Sequence, residues 1–187
     1  MKFGTASRPV SGKYNGDMYI IKEFNHKVLI SVIDGLGHGK RAAVASSGCI
    51  KSIEEHYKEE LTEILKHCDN DIRKTSGVVI GIISIDIEHS TISFAGVGNI
   101  SARLVGKNPT HFISRDGIVG YNFPEIKEYT YPYTKGDTIL MHSDGISSGV
   151  VEYPLLKIKS QDVEATASEI LRLYGRDNDD ATVIVAR

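Results

Sequence analysis

Aspartates that stand next to glycine or to another aspartate recur along this chain of 187 residues. Four short segments place such an aspartate at the edge of a predicted strand and are considered together: Asn15-Gly16-Asp17, Ile33-Asp34-Gly35, Ser143-Asp144-Gly145 and Asp177-Asn178-Asp179-Asp180. Two of the segments follow an apolar run that is typical of a buried strand, and a glycine after the aspartate lets the backbone turn sharply. An aspartate at such a strand end can direct its carboxylate into a cleft. The pattern therefore predicts a cluster of carboxylates, provided that the four segments meet in space.

A carboxylate cluster of this kind has a definite chemistry. Neighbouring carboxylates repel one another, and their pKa values rise unless cations neutralise them. A donor set of oxygens alone, without Cys or His at zinc-binding spacing, favours Mg²⁺ or Mn²⁺ over zinc or copper. Asp-Gly and Asn-Gly are also common turn dipeptides, so any one segment alone could be an ordinary turn. Their recurrence after apolar strands is what supports a metal site.

The elements that must position these aspartates follow from the apolar pattern. Strands are predicted at residues 19–24, 28–33, 77–87, 91–97, 100–105, 111–113, 127–131, 138–141 and 182–186. Apolar residues recur every three or four positions over residues 40–68, which predicts one long helix or two with a break near 58–61. A last helix is expected to begin at a Ser160 cap and to end at Gly175. Together these elements predict a single α+β domain over residues 1–187, with sheets inside and helices outside.

Composition excludes several classes of protein. Hydrophobic residues make up 41% and charged residues 25%, with a net charge of −2 and no run of Lys and Arg. This balance is typical of a soluble globular protein and predicts no nucleic-acid or membrane partner. Residues 1–7 show no apolar signal segment, and the longest apolar run, residues 77–83, is far too short to span a bilayer. Cys49 and Cys68 occupy apolar helical positions, so we expect buried thiols and a cytoplasmic location.

The ordered motifs resemble those of the type 2C (PPM) metal-dependent protein phosphatases. The resemblance rests on Asp34-Gly35-Leu36-Gly37-His38-Gly39, on Met141-His142-Ser143-Asp144-Gly145 and on Asp179-Asp180-Ala181-Thr182-Val183-Ile184-Val185. Together with Gly16-Asp17, the DGLGHG and DDATVIV forms are closer to the SpoIIE-type bacterial branch. The short chain without a sensor domain is similar to the stand-alone phosphatases of stressosome pathways. Each motif is weak alone, and their order and spacing over residues 16–185 make the resemblance specific.

The resemblance implies a four-layer αββα sandwich of two mostly antiparallel sheets flanked by helices, holding two Mn²⁺ or Mg²⁺ ions. The metal ligands that it implies are Asp17, Asp34, the carbonyl of Gly35, Asp144 and Asp179. Asp34 would bridge both ions, while Asp180 would support the ligands or replace Asp179 in a register shifted by one. The implied reaction is hydrolysis of phosphoserine or phosphothreonine by a metal-activated water, with Asp34 and Asp144 as the catalytic residues.

Some positions depart from the family pattern. Leu36 stands where many members have a histidine, and His38 is not a matched proton donor; an exposed loop histidine is the simpler interpretation. Arg8 and Lys13 are candidates for phosphate binding by position only, and a surface role is favoured for both. Residues 117–121 could form a flap over the cleft or a plain surface loop.

Two further features carry weaker hypotheses. The turn that ends at Asn99 is expected to be structural, shaping a tight connection between strands. Lys40 and Arg41, at the start of the first helix, could steer a phosphoprotein, although solvated charge is the default interpretation.

Other functions stay open at this stage. A nucleotide-binding loop at Gly35-Leu36-Gly37-His38-Gly39 is disfavoured, because the spacing fits neither GxGxxG nor GxxxxGK[ST]. A non-catalytic binding module of the same fold is the second alternative. For an active enzyme, the resemblance implies phosphorylated STAS-domain proteins of a stressosome-like complex as substrates. A single-domain anti-anti-sigma factor is the other substrate class, and a monomer is the default oligomeric state.

Overall fold

Two five-stranded sheets form the centre of the computed structural model, which describes residues 1–152 and 162–187. The strands are β1 Phe3–Arg8, β2 Asp17–Phe24, β3 Lys27–Gly35, β4 Val78–Asp86, β5 Thr91–Val97, β6 Ser101–Val105, β7 Thr110–Phe112, β8 Tyr129–Pro132, β9 Thr138–His142 and β10 Ala181–Ala186. The order is β1-β10-β9-β6-β7 in the first sheet and β2-β3-β4-β5-β8 in the second. All neighbouring strands are antiparallel.

The β2–β3 hairpin fixes the register of the second sheet. Its turn residues Asn25 and His26 have φ values of 43° and 61°, the left-handed conformation that a two-residue hairpin loop requires. Pairing then runs without interruption from Phe24 opposite Lys27 to Asp17 opposite Asp34. The turn at one end of the hairpin therefore places two of the predicted ligands side by side at the other end.

Three helices cover the outer faces of the sheets. They are α1 Gly39–His56, α2 Leu61–Ile72 and α3 Val163–Tyr174, and a 3₁₀ turn spans Ser148–Glu152. The predicted helical region thus breaks near its expected position and continues beyond residue 68. The cap of α3 is Asp162, whose side chain accepts a hydrogen bond from the Glu164 amide, while the predicted Ser160 cap lies outside the described residues. Gly175 ends α3 as expected.

Apolar side chains form three layers that hold the sandwich together. Ile30, Ile83 and Ile184 belong to the layer between the two sheets. Residues from α1 and α2 pack on the outer face of the second sheet, and α3 packs on the outer face of the first. Cys49 and Cys68 are buried free thiols in the α1–α2 layer. Burial of each large aliphatic side chain contributes about 1.5–3 kcal/mol to the stability of the fold. The predicted αββα fold class is confirmed.

The strand predictions differ from the structure mainly at the first sheet. Strand β1 was not predicted, because residues 3–8 lack a run of large apolar side chains. It forms because it pairs with β10 along its full length and because Glu164 of α3 accepts a hydrogen bond from the Thr5 amide. Strand β8 begins at Tyr129 rather than at residue 127. Among the helices of residues 1–152 and 162–187, none combines the length and the hydrophobicity that a transmembrane helix needs.

Candidate metal centre

The end of the β2–β3 hairpin supplies the first two carboxylates of the site. Asp17 is buried, with 3% of its surface exposed, and lies opposite Asp34 in the strand register. The carbonyl of Gly16 accepts hydrogen bonds from the Gly35 amide at 3.1 Å and from the Ser46 hydroxyl of α1. A Cβ atom on Gly35 would lie 2.3 Å from the carbonyl oxygen of Ala42, so only glycine fits there. The first turns of α1 are thereby packed against the end of β3, which carries Asp34 and Gly35.

Ser143 connects the second sheet to the first at this site. It follows β9, and its hydroxyl donates a hydrogen bond of 2.6 Å to Oδ2 of Asp17. The same hydroxyl accepts a hydrogen bond of 3.0 Å from the Thr182 amide of β10. The next residue, Asp144, accepts a hydrogen bond of 2.9 Å from the side-chain amide of Asn99. Both sheets therefore contribute residues to one cluster.

The sequence did not reveal the roles of Ser143 and Asn99. Asn99 was assigned to a structural turn, and Ser143 was noted only as a neighbour of Asp144. A hydroxyl residue directly before Asp-Gly was the available signal. Its side chain could not be placed without knowing that β9 lies beside β10 and opposite the β2–β3 hairpin.

Asp180 holds the backbone around the site. Its Oδ1 accepts a hydrogen bond of 2.6 Å from the Val10 amide, and its Oδ2 accepts one of 2.8 Å from the Gly16 amide. Both carboxylate oxygens of Asp180 are thus engaged in positioning the segment that precedes Asp17. The side chain of Asp179 accepts a hydrogen bond from the Asp180 amide at 2.9 Å and is less buried.

The carboxylates lie close enough to alter one another's ionisation. Burial, followed by repulsion from Asp17, Asp144, Asp179 and Asp180, raises the pKa of Asp34 to about 8. Burial also raises the pKa of Asp17 to about 7, although the hydrogen bond from the Ser143 hydroxyl opposes the increase. For Asp179, burial and then the charge of Asp144 raise the pKa. The four acidic segments of the sequence therefore meet in space.

The cluster suits a hard divalent cation. Oδ1 of Asp17 is buried and has no hydrogen-bond partner among the described residues. A buried carboxylate oxygen without a donor is costly, and a cation offsets that cost. The available donors are oxygens, which fits Mg²⁺ or Mn²⁺.

A closer grouping of ligand atoms lies elsewhere. Within residues 1–152 and 162–187, one set of three His, Cys, Asp or Glu residues brings its ligand atoms within 4.8 Å of one another: His56, Glu59 and His67. There the two imidazole rings stack with their centroids 3.6 Å apart and share the Glu59 carboxylate. The carboxylates of the candidate site are spaced more widely, as expected of like charges.

The remaining candidate residues occupy other positions. Arg8 contacts Asp177 at 3.3 Å and donates a hydrogen bond of 2.6 Å to the Arg176 carbonyl, so its guanidinium is engaged by the residues that precede Asp179. His38 is an exposed residue that precedes α1 and makes no capping hydrogen bond with its side chain. Lys13 is exposed.

Residues 117–121, considered above as a flap or a surface loop, are held in place by hydrogen bonds of their backbone groups. Val119 exchanges hydrogen bonds of 3.0 Å with Val78, and the Gly120 amide donates one of 2.8 Å to the Asp69 carboxylate of α2. Tyr121 is 85% exposed. Residue 36 lies nearby, because its amide donates to the Gly77 carbonyl at 2.9 Å.

Comparison with known proteins agrees with this arrangement. The profile of the family described as Stage II sporulation protein E (SpoIIE) matches residues 25–187. The curated protein "Phosphoserine phosphatase RsbX" of Bacillus subtilis (strain 168) is 26% identical over 175 residues, which cover 92% of this chain and 86% of RsbX.

Solved structures superpose on this chain over nearly its whole length. A chain from work described as "The bacterial stressosome: a modular system that has been adapted to control secondary messenger signaling" superposes with a TM-score of 0.94. It is 33% identical, with coverage of 100% of this chain and 98% of that one. A crystal structure of RsbX in complex with magnesium superposes with a TM-score of 0.83 at 22% identity, covering 97% of this chain and 92% of RsbX.

The fold is that of the type 2C protein phosphatases, because the PP2C phosphatase domain of SpoIIE from Bacillus subtilis superposes with a TM-score of 0.80 at 23% identity, covering 98% of this chain and 62% of that one. Within that class, the chain belongs to the SpoIIE family. The prediction of a protein phosphatase with the SpoIIE-type sandwich is confirmed.

Proposed function

We propose that this protein removes phosphate from phosphoserine or phosphothreonine of a partner protein with the aid of two Mn²⁺ or Mg²⁺ ions. The observation that carries the proposal is the carboxylate cluster, in which a buried oxygen of Asp17 lacks a donor and the pKa of Asp34 rises to about 8. Such a cluster is unfavourable without cations and becomes favourable with them. Both sheets contribute to it, which supports treating residues 1–187 as one phosphatase domain.

The proposed metal ligands are Asp17, Asp34, the carbonyl of Gly35, Asp144 and Asp179. Asp34 is the proposed bridging ligand, because it responds to the charge of every other carboxylate of the cluster. Asp180 is proposed to hold the site together rather than to bind an ion, because backbone amides occupy both of its oxygens. This assignment uses the register in which Asp179 is the ligand.

The chain's own groups have positioning tasks in the proposed reaction. Bound divalent cations lower the pKa of water and offset the negative charge of the phosphoryl oxygens. The Ser143 hydroxyl fixes the orientation of Asp17, and the Asn99 amide fixes that of Asp144. Because Leu36 offers no proton, water is the proposed proton source for the departing serine or threonine oxygen.

The proposed substrates are phosphorylated STAS-domain proteins of a stressosome-like complex, whose dephosphorylation would reset a stress-signalling pathway. The chain that is 33% identical comes from work on the bacterial stressosome, and RsbX is a phosphoserine phosphatase. A single-domain anti-anti-sigma factor is the alternative substrate. We further propose a monomer in the cytoplasm, a reducing compartment that suits two free cysteines.

Hydrolysis of p-nitrophenyl phosphate with and without Mn²⁺ tests the enzymatic proposal. We expect activity that depends on metal and that falls by at least about a hundredfold in Asp34→Asn and Asp144→Asn, since each change removes a charged metal ligand. The matched control is Asp116→Asn, an exposed aspartate outside the cluster. Full activity in both ligand variants would refute the site, and inactivity of the folded wild type with either metal would favour a binding module.

A further inference from the structure

A basic groove opens beside the carboxylate cluster, along the exposed side of α1. Its open volume is about 720 Å³, and a second depression of about 310 Å³ shares Lys40 and Val44 with it. The cationic residues that line the two depressions are Lys13, Lys40, Arg41, Lys51 and Lys74. We call this combined surface the α1 groove.

The α1 groove adjoins the proposed metal centre. Asn15 lines it, and the side-chain oxygen of Asn15 accepts a hydrogen bond of 3.0 Å from the Asp17 amide. Lys40 lies in the first turn of α1, two residues before Ala42, which packs directly against Gly35. A chain whose phosphoserine reaches the carboxylate cluster can therefore continue along this surface.

Charge in the α1 groove opposes the charge of the whole molecule. The chain has a net charge of −2. Five cations line the α1 groove, and among the described residues one carboxylate, that of Asp71, lines it with them. All five cations are exposed, and none forms an ion pair with a carboxylate of residues 1–152 or 162–187. Exposed cations at this density attract anionic partners over about one Debye length, roughly 8–10 Å.

The α1 groove also offers apolar contacts. Val44 is 53% exposed and Tyr14 is 42% exposed, and both line the groove between the cations. An aliphatic and an aromatic side chain within a cationic surface suit a peptide segment, which brings side chains as well as charge. A small anion would leave these contacts unused.

We propose that the α1 groove binds an acidic segment of the phosphoprotein, adjacent to the phosphorylated residue. This inference rests on the proposed phosphatase function and adds a rule for substrate choice. Acidic residues beside the phosphoserine increase the rate of productive encounter, so they raise kcat/KM. A substrate with a neutral flank reacts at the same metal centre without this advantage.

Two synthetic phosphoserine peptides test the proposal, one flanked by glutamates and one by glutamines at the same positions. The decisive variant carries Lys40→Glu, Lys51→Glu and Lys74→Glu together. We expect kcat/KM for the acidic peptide to fall at least about tenfold. The neutral peptide and p-nitrophenyl phosphate keep the phosphate charge but lack the acidic flank, so for them we expect a smaller fall, of at most about threefold. The matched control reverses three exposed lysines elsewhere, Lys107, Lys127 and Lys135.

A binding measurement separates the groove from the catalysis. The acidic peptide with an unphosphorylated serine, followed by fluorescence anisotropy without metal, should bind the wild type in a salt-dependent manner and the groove variant at least about tenfold more weakly. This result would stand even if the wild type failed to hydrolyse any phosphate ester, a failure that would count against the proposed function alone. The single change Lys51→Gln, expected to weaken binding by a smaller factor, serves if the triple variant does not fold.

Several results would overturn the proposal. One is a ratio of kcat/KM for the acidic peptide to kcat/KM for the neutral peptide that is the same in the wild type and the groove variant. Another is a loss of kcat/KM for the acidic peptide in the control variant that is as large as the loss in the groove variant. A third is retention of the wild type on phosphatidylserine vesicles that disappears in the groove variant while peptide binding is unchanged. That outcome would identify the α1 groove as a membrane-facing surface.

Discussion

Replacing Asp17 by asparagine should stabilise the metal-free protein, and the gain should increase with pH. Burial raises the pKa of Asp17 from its ordinary 3.8 to about 7 in the folded state. The ionised form is therefore unfavourable in the fold. Below pH 3.8 the carboxyl group is protonated in both states and nothing is lost. As the pH rises towards 7, the unfolded chain is already ionised and the folded protein progressively loses stability.

The size of the effect follows from the difference in pKa between the two states. About three pKa units, at about 1.4 kcal/mol each, correspond to an upper limit of roughly 4 kcal/mol at and above neutral pH. Relaxation of the site and entry of water reduce this value, so we expect Asp17→Asn to raise the free energy of unfolding by about 2 kcal/mol at about pH 8. Asparagine still accepts the hydrogen bond from the Ser143 hydroxyl.

Urea unfolding in EDTA at a series of pH values measures how much Asp17→Asn raises the free energy of unfolding. The gain should be near zero at about pH 4 and constant above about pH 7. Added Mn²⁺ should reverse the order of stability, because the wild type binds the ion with its charged carboxylate and gains about 2.7 kcal/mol at a hundredfold excess over Kd. A gain that is independent of pH, or a loss of stability at about pH 8 in EDTA, would refute the reasoning. Asp116→Asn, an exposed aspartate, is the control.

Three further predictions concern neighbouring groups. Asn99→Ala should weaken Mn²⁺ binding by about tenfold in calorimetric titration, since Asp144 loses the amide that orients it, and unchanged affinity would contradict that role. Gly145→Ala should lower the free energy of unfolding by at least about 2 kcal/mol, because a Cβ atom there would lie 1.9 Å from the carbonyl oxygen of Asp180. An unchanged urea midpoint would show that the backbone can shift to accept the methyl group. Chelation of metal from the wild type should abolish phosphatase activity, and returning Mn²⁺ should restore it within the time of mixing; persistent activity in EDTA would exclude the proposed mechanism.

The sequence predicted the parts of the fold whose residues interact locally. The period of the apolar residues revealed α1 and α2 with a break between them, and the apolar runs at residues 19–24 and 28–33 revealed β2 and β3. Strand β1 escaped prediction because its stability comes from β10, which lies at the other end of the chain. No local pattern carries that information.

In the candidate site, too, the sequence revealed the residues with a local signal and missed those that depend on distant partners. The aspartates were identifiable because each stands beside a glycine or another aspartate near the end of a predicted strand. The supporting groups were not, because Ser143 and Asn99 act through side chains whose partners come from other strands. For Asp180 the resemblance implied a supporting role or a register shifted by one, but it could not identify the partners, the amides of Val10 and Gly16, which lie at the other end of the chain.

The hydrogen bonds of Asp180 have a consequence for how the protein is made. Its partners lie 170 and 164 positions earlier in the chain, so the site cannot assemble until translation has delivered β10. Contacts of such long range form late, after most loop-closure entropy has been lost. A nascent chain that still lacks its final strand would therefore have neither a cation site nor hydrolytic activity. Synthesis itself would delay the onset of dephosphorylation until the fold is closed.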